Sequence, residues 1–155
     1  IEAQVKFSLD LREAMNLAVT MINKIEYIRS ELLLLKTSLK KKSDLKQVDQ
    51  LTNIATQIAG SLYDIHLTGA REDAFRSPMK LYGRLSALAS EINSSGIDFK
   101  PTDQQGAVYE VLNQRLQKTK GAFDELVNHD IAAFNKQLND LDMHIDMEKK
   151  MEKDN

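Results

Sequence analysis

Apolar residues in the first segment fall at gaps of three and four: Leu11, Met15, Ala18, Ile22, Ile25, Ile28, Leu32, Leu35 and Leu39. That spacing keeps them on one face of a helix and predicts a single long helix from Val5 to Leu39, ~50 Å long at ~1.5 Å per residue. Lys40, Lys41 and Lys42 follow, where positive charge suits the C-terminal end of the helix dipole. A second stripe, Leu45, Val48, Leu51, Ala55, Ile58, Leu62 and Ile65, predicts a second helix with Ser43 as its N-cap and Gly69 as its stop. The short connection predicts that it runs antiparallel to the first. Ser77-Pro78 is a helix start, followed by the stripe Leu81, Leu85, Leu88 and Ile92, with the polar Asn93 to Gly96 closing the element. Thr102 followed by Gln105 has capping-box spacing and opens the fourth helix. Its stripe is Val108, Leu112, Leu116, Thr119, Phe123 and Leu126, then Phe134, Leu138, Leu141 and Ile145 after a change of phase around Asn128 to Asp130.

No segment alternates in the manner of a strand, and the two prolines, Pro78 and Pro101, both stand at helix starts. The expectation is an all-α protein: an up-down-up-down four-helix bundle, one domain over residues 1–155. Long first and fourth helices pair, the second and third pack along them, and a tail from about residue 148 frays.

Charge narrows the partners. Lys plus Arg number 21 and Asp plus Glu 23, a formal net charge of -2, so no overall positive field favours nucleic acid. No apolar run approaches the ~20 residues of a membrane span. The chain has no cysteine, which removes disulfides, thiolate metal sites and cysteine nucleophiles together. It begins at Ile1, as expected of a piece of a longer protein.

The search for chemistry yields no catalytic residue, cofactor or metal. Asp140, His144 and Glu148 share one helix face by spacing, but acid and His at such intervals are common on charged helices. There is no nucleophile elbow, phosphate-cradling glycine loop or dinucleotide fingerprint. Carboxylates beside lysines, as at Glu148-Lys149 and Glu152-Lys153, mark a solvated surface rather than a glycosidase pair. Asn93-Ser94-Ser95 matches a glycosylation sequon, which matters only in a eukaryotic secretory route. Most aromatic residues adjoin a core stripe; Phe75, in the connector Gly69 to Ser77, either pins that loop to the bundle or meets a partner.

Two connectors carry a resemblance. Leu62-Tyr63, the run Asp73-Ala74-Phe75-Arg76-Ser77-Pro78 and the following Leu81, Leu85 and Leu88 are similar to the helical region after the propeller in bacterial proteins with sortilin-type or neuraminidase-repeat β-propellers. There a Leu-Tyr pair, an Asp-Pro-x-x-x-Pro connector and a leucine-striped helix occur in that order, and a Pro-Thr-Asp-Gln segment opens the next helix, as Pro101-Thr102-Asp103-Gln104 does here. The first proline of the connector is Ala74 in this chain, and the loop carries an extra residue. The resemblance spans roughly Leu9 to Leu126.

It implies a non-catalytic accessory module, exported with a parent often named a glycosyl hydrolase, packing on its own propeller or on another protein. Any glycan chemistry would belong to the propeller. The connector residues Tyr63, Arg71, Asp73, Phe75, Arg76 and Pro78, and the helix-start residues Pro101, Thr102, Asp103 and Gln105, are the candidate site. Two other readings stand beside it. The long helices suit a homo-oligomeric coiled coil, and Phe75, Arg71 and Arg76 suit glycan or peptide binding.

Overall fold

The computed structural model describes residues 2–66, 79–94, 100–139 and 145–148. All regular structure among them is helical. Helix α1 spans Glu2–Ser38, α2 Lys42–Leu62, α3 Leu81–Ser94 and α4 Asp103–Glu125. A π-helical turn, Leu126–Ile131, joins α4 to α5, Ala132–Leu138, so the last three form one continuous rod.

The buried positions of α1 are Leu11, Ala14, Ala18, Met21, Ile25, Ile28, Leu32 and Leu35, followed by Leu39 just past its end. Their gaps of three and four repeat without a slip, which is a seven-residue period. Met15 and Ile22, expected in the core, are only half-buried at its edge, and the smaller Ala14 and the neighbouring Met21 take the inward positions. The third stripe is as expected and the second nearly so: Val48, Leu51, Ala55, Ile58 and Leu62 in α2, and Leu81, Leu85, Leu88 and Ile92 in α3, are buried, while Leu45 and Ile65, the latter past the end of α2, are half-buried. Each such leucine or isoleucine contributes ~1.5 to 3 kcal/mol relative to exposure.

Helix directions follow from which side chains meet. Lys36 Nζ lies 2.7 Å from Asp49 Oδ1, and the Tyr63 hydroxyl donates to Glu26 Oε1. The α1 partner number falls as the α2 number rises, so the two helices are antiparallel. At the other end of α1, Leu11, Met15 and Asn16 line one cleft with Ala89, Ile92 and Asn93 of α3. Helix α3 therefore ends beside the start of α1 and, like α2, runs against it. Ser61, at the end of α2, and Leu81, at the start of α3, face the same groove. The two short helices thus follow one another along α1, ~30 Å and ~20 Å against its ~55 Å.

The fourth segment returns in the direction of α1. Tyr109, early in α4, packs edge-on against Phe7 with ring centroids 5.4 Å apart, and its hydroxyl donates to the Asp10 carbonyl oxygen. Asp130 and Phe134, late in the rod, lie against Gln47 and Leu51 at the start of α2. Four helical segments therefore make three legs running up, down, down and up, rather than the expected up-down-up-down order. Gapped stripes define faces but not directions; here α3 starts beside the end of α2.

Several local expectations are also revised. Lys41, not Ser43, occupies the N-cap of α2, with extended backbone and no side-chain cap, so Ser43 lies within the first turn. Helix α2 ends at Leu62, and Tyr63 turns extended while its N–H still donates to the Ala59 carbonyl. Gly69, proposed as the stop, and Ser77-Pro78, proposed as a start, lie outside the described residues. Val108, expected in the core, is 43% exposed.

The phase change in the fourth stripe is real, and its cause is the π-turn. The buried residues there are Phe123, Leu126, Ile131, Phe134 and Leu138. In an α-helix a gap of five, as between Leu126 and Ile131, would swing the second side chain about 140° off the core face. The wider turn absorbs that extra residue, while Glu125, Leu126, Ile131 and Ala132 all keep right-handed helical angles.

The helix does not continue to Ile145. The Asn135 carboxamide makes both a donor and an acceptor bond to the backbone of Ile145, at 2.9 and 2.8 Å, and Ile145 is buried. Residues 145–148 are thereby held on the bundle in a non-helical conformation, where continuation of the helix had been expected.

Candidate functional site

The connector and the helix-start motif point to two places, of which the second borders a groove. At the first, Tyr63 follows α2, and the Glu26 carboxylate accepts from both its hydroxyl and Arg29 Nη1, the latter at 2.7 Å. Burial and the adjacent Glu26 carboxylate push the Tyr63 hydroxyl up to about 12, because both disfavour a phenolate. A tyrosine held protonated in this way is an anchor for the end of α2.

At the second place the capping box is complete. The Gln105 N–H donates to Thr102 Oγ1 at 3.1 Å, and the Thr102 N–H donates to Gln105 Oε1 at 2.9 Å. Gln105 Nε2 donates onward to Glu91 at 3.3 Å, which ties the start of α4 to the end of α3. Asp103 supplies a negative charge in the first turn of α4, and Pro101 precedes the cap. All four residues act in starting this helix. Arg71, Asp73, Phe75, Arg76 and Pro78 lie outside the described residues.

The second place opens onto the seam that α4 forms with the α2–α3 leg. Its central groove has a volume of about 570 Å³. Ile54, Ile58 and Leu81 supply apolar lining, with Met79 at the rim, 61% exposed. Lys80 and Arg84 enter from the α3 side, and Arg115 and Lys118 from α4. No carboxylate lines this groove among the described residues. A second hollow of about 280 Å³ shares Met79 and Arg84 with the first and continues past Leu88 and Val108 to Thr102 and Gln105. In the other direction Ile54 is shared with a cleft of about 250 Å³ beside Gln47, Gln50 and Asp130.

The cations of the central groove form no ion pair among the described residues. The ion pairs among the described residues are Glu26–Arg29, Lys36–Asp49, Lys120–Asp124 and Glu125–His129, and none involves Lys80, Arg84, Arg115 or Lys118. The Arg84 Nε–H donates to the Met79 carbonyl at 3.0 Å, which holds its guanidinium stem at the mouth of the groove. On α4, Val108, Val111, Arg115, Lys118 and Ala122 recur at gaps of three and four, all exposed. Sequence reasoning missed this second stripe because two of its members are basic, although its spacing was available.

Gln47, on the cleft beyond Ile54, has a buried Oε1 without a hydrogen-bond partner. Of the three groups considered for a metal, one lies within the described residues. Glu148 sits in a turn after α5 has ended, and Asp140 and His144 lie outside the described residues. No helix among the described residues is long and apolar enough to cross a membrane. No family model, curated protein or solved structure matches the chain.

Proposed function

We propose that the chain is a non-catalytic helical module that docks another protein surface, either a β-propeller in the same polypeptide or a separate partner. The open seam along α4 supports this reading most: Ile54, Met79 and Val108 stay exposed beside cations that form no ion pair among the described residues. A surface of that kind is suited to a macromolecular partner.

The parent protein is, on this reading, an exported bacterial propeller protein of the type often named a glycosyl hydrolase. The support is the pair of connector motifs, and the Thr102–Gln105 capping box gives one of them a physical role as a helix start. Glycan chemistry would then belong to the propeller. The coding sequence upstream of Ile1 tests the parentage: propeller repeats in frame agree with it, and a start codon immediately before Ile1 contradicts it. Assays of the chain against fluorogenic glycosides test the rest. Turnover abolished by a single carboxylate substitution would overturn the non-catalytic reading.

A second reading is self-association through the long helices, favoured by Leu33 and Leu34, which are 67% and 61% exposed near the end of α1. Sedimentation over a range of concentrations distinguishes it, since a strict monomer excludes this role.

A further inference from the structure

We infer that the central groove takes an acidic amphipathic helix from a partner protein, laid along α4 so that it supplies a fourth leg to the bundle. This rests on the docking reading above and adds the partner's chemistry. Four observations converge on it. The described residues form three legs, and α4 presents an exposed second stripe, Val108, Val111, Arg115, Lys118 and Ala122, at the spacing of a helix-packing face. Ile54 and Met79 on the opposite wall complete an apolar floor that a row of leucine-type anchors at helical spacing would cover.

Charge selects among occupants. Lys80 and Arg84 on one wall face Arg115 and Lys118 on the other, with no carboxylate in the lining among the described residues, in a chain whose net charge is -2. The local sign therefore opposes that of the whole molecule. A basic helix placed there would meet like charge from both sides, whereas Glu or Asp flanking an apolar stripe would meet a cation on each side. The apolar floor favours a protein helix over a bare polyanion, which would leave Ile54 and Met79 without contacts. At one end of the seam Gln47 Oε1 is an unpaired acceptor, and at the other Thr102 and Gln105 have already satisfied one another, so the seam's electrostatic centre is the cationic middle.

The test uses the full 155-residue chain. A fluorescein-labelled synthetic peptide of about 18 residues, long enough to be helical when bound, carries Leu at i, i+3, i+4 and i+7 spacing with Glu on both flanks. Fluorescence anisotropy should give a Kd of order 10 µM, weakening as salt rises. The double variant Arg115→Glu/Lys118→Glu should weaken binding at least tenfold, about 1.4 kcal/mol, with an unchanged circular-dichroism spectrum. Lys24→Glu, at an exposed position on α1, should leave binding unaltered.

Four results would each overturn the inference. They are no binding at millimolar chain, equal binding of the same peptide with Lys for Glu, full retention by the double variant, and peptide binding that falls as the chain concentration rises into a range where the chain sediments as a dimer. Heparin and phosphatidylserine vesicles serve as rival probes: tighter binding of either, lost in the same double variant, would assign the groove to polyanions or a lipid surface instead. Failure of the peptide test leaves the accessory-module reading to be judged by the upstream coding sequence, so the two can fail separately.

Discussion

The seam between α1 and α2 and the seam between α4 and the α2–α3 leg are both lined by aliphatic side chains at helical spacing, yet one is shut and the other gapes. In the closed seam Ile25, Ile28 and Leu32 of α1 are fully buried, as are Val48 and Ala55 of α2. Its polar margin is satisfied within the chain, by Lys36 with Asp49 and by Tyr63 with Glu26. In the open seam Ile54 and Val108 remain exposed, and among the described residues no carboxylate lines the central groove with its four cations. Apolar spacing alone therefore does not make a core. A seam closes where the polar residues at its edges also find partners, and an edge of one sign keeps it available to something else.

Truncation should separate the two seams most strongly. Leu32→Ala, at a position with no exposed surface, is expected to cost ~2 to 5 kcal/mol in chemical denaturation, because it leaves a cavity among close-packed neighbours. Val108→Ala on the open seam should stay within ~0.5 kcal/mol. Equal losses would erase the distinction between the seams.

Next in size is Asn135→Ala, which should cost ~1 to 3 kcal/mol by leaving the Ile145 N–H and carbonyl unpaired. Hydrogen exchange at the Ile145 amide should speed up far more than exchange in α1. Thr102→Ala should remove ~1 kcal/mol through loss of the cap, visible as faster exchange in the first turn of α4.

The smallest effect concerns pH and the margin of the closed seam. Tyr63 has a folded-state value of about 12 against an ordinary value of 10.0, so above pH 10 the folded chain holds its proton while the unfolded chain gives it up. The stabilisation is complete below pH 10 and is lost as pH rises from about 10 to about 12. Burial also raises Tyr27 and Tyr109, in the same direction. Alkaline titration of stability should therefore fall through this window, and Tyr63→Phe should make the fall shallower; an unchanged slope would remove Tyr63 from the account.

Much of the closed core was legible in the stripes of α2 and α3, where every strongly apolar position predicted between Val48 and Leu62, and between Leu81 and Ile92, is buried. The capping box at Thr102 was legible for a different reason: its chemistry is local and both partners lie within one turn. Ile131 was missed because a five-residue gap breaks the α period, and only a π-turn returns it to the core. Ile145 was placed on a helix because its spacing fits one, whereas the bond pair from Asn135 holds it in another conformation. The order of the legs was not legible, since an apolar face is the same whether its helix runs up or down. The candidate seam was half legible: Thr102 at its end was singled out, but the pairs Lys80 and Arg84, and Arg115 and Lys118, are remote in sequence and meet only through folding.

The arrangement of three legs with one open seam is tested most directly by two distances. The chain has no cysteine of its own, so spin labels can be placed at will. Electron–electron resonance between labels at Arg12 and Gln114 should give a distance ~20 Å shorter than between labels at Arg12 and Lys136, because α4 runs in the direction of α1 at ~1.5 Å per residue. The reverse order, with Arg12 nearer Lys136, would mean that the legs alternate and would contradict the account.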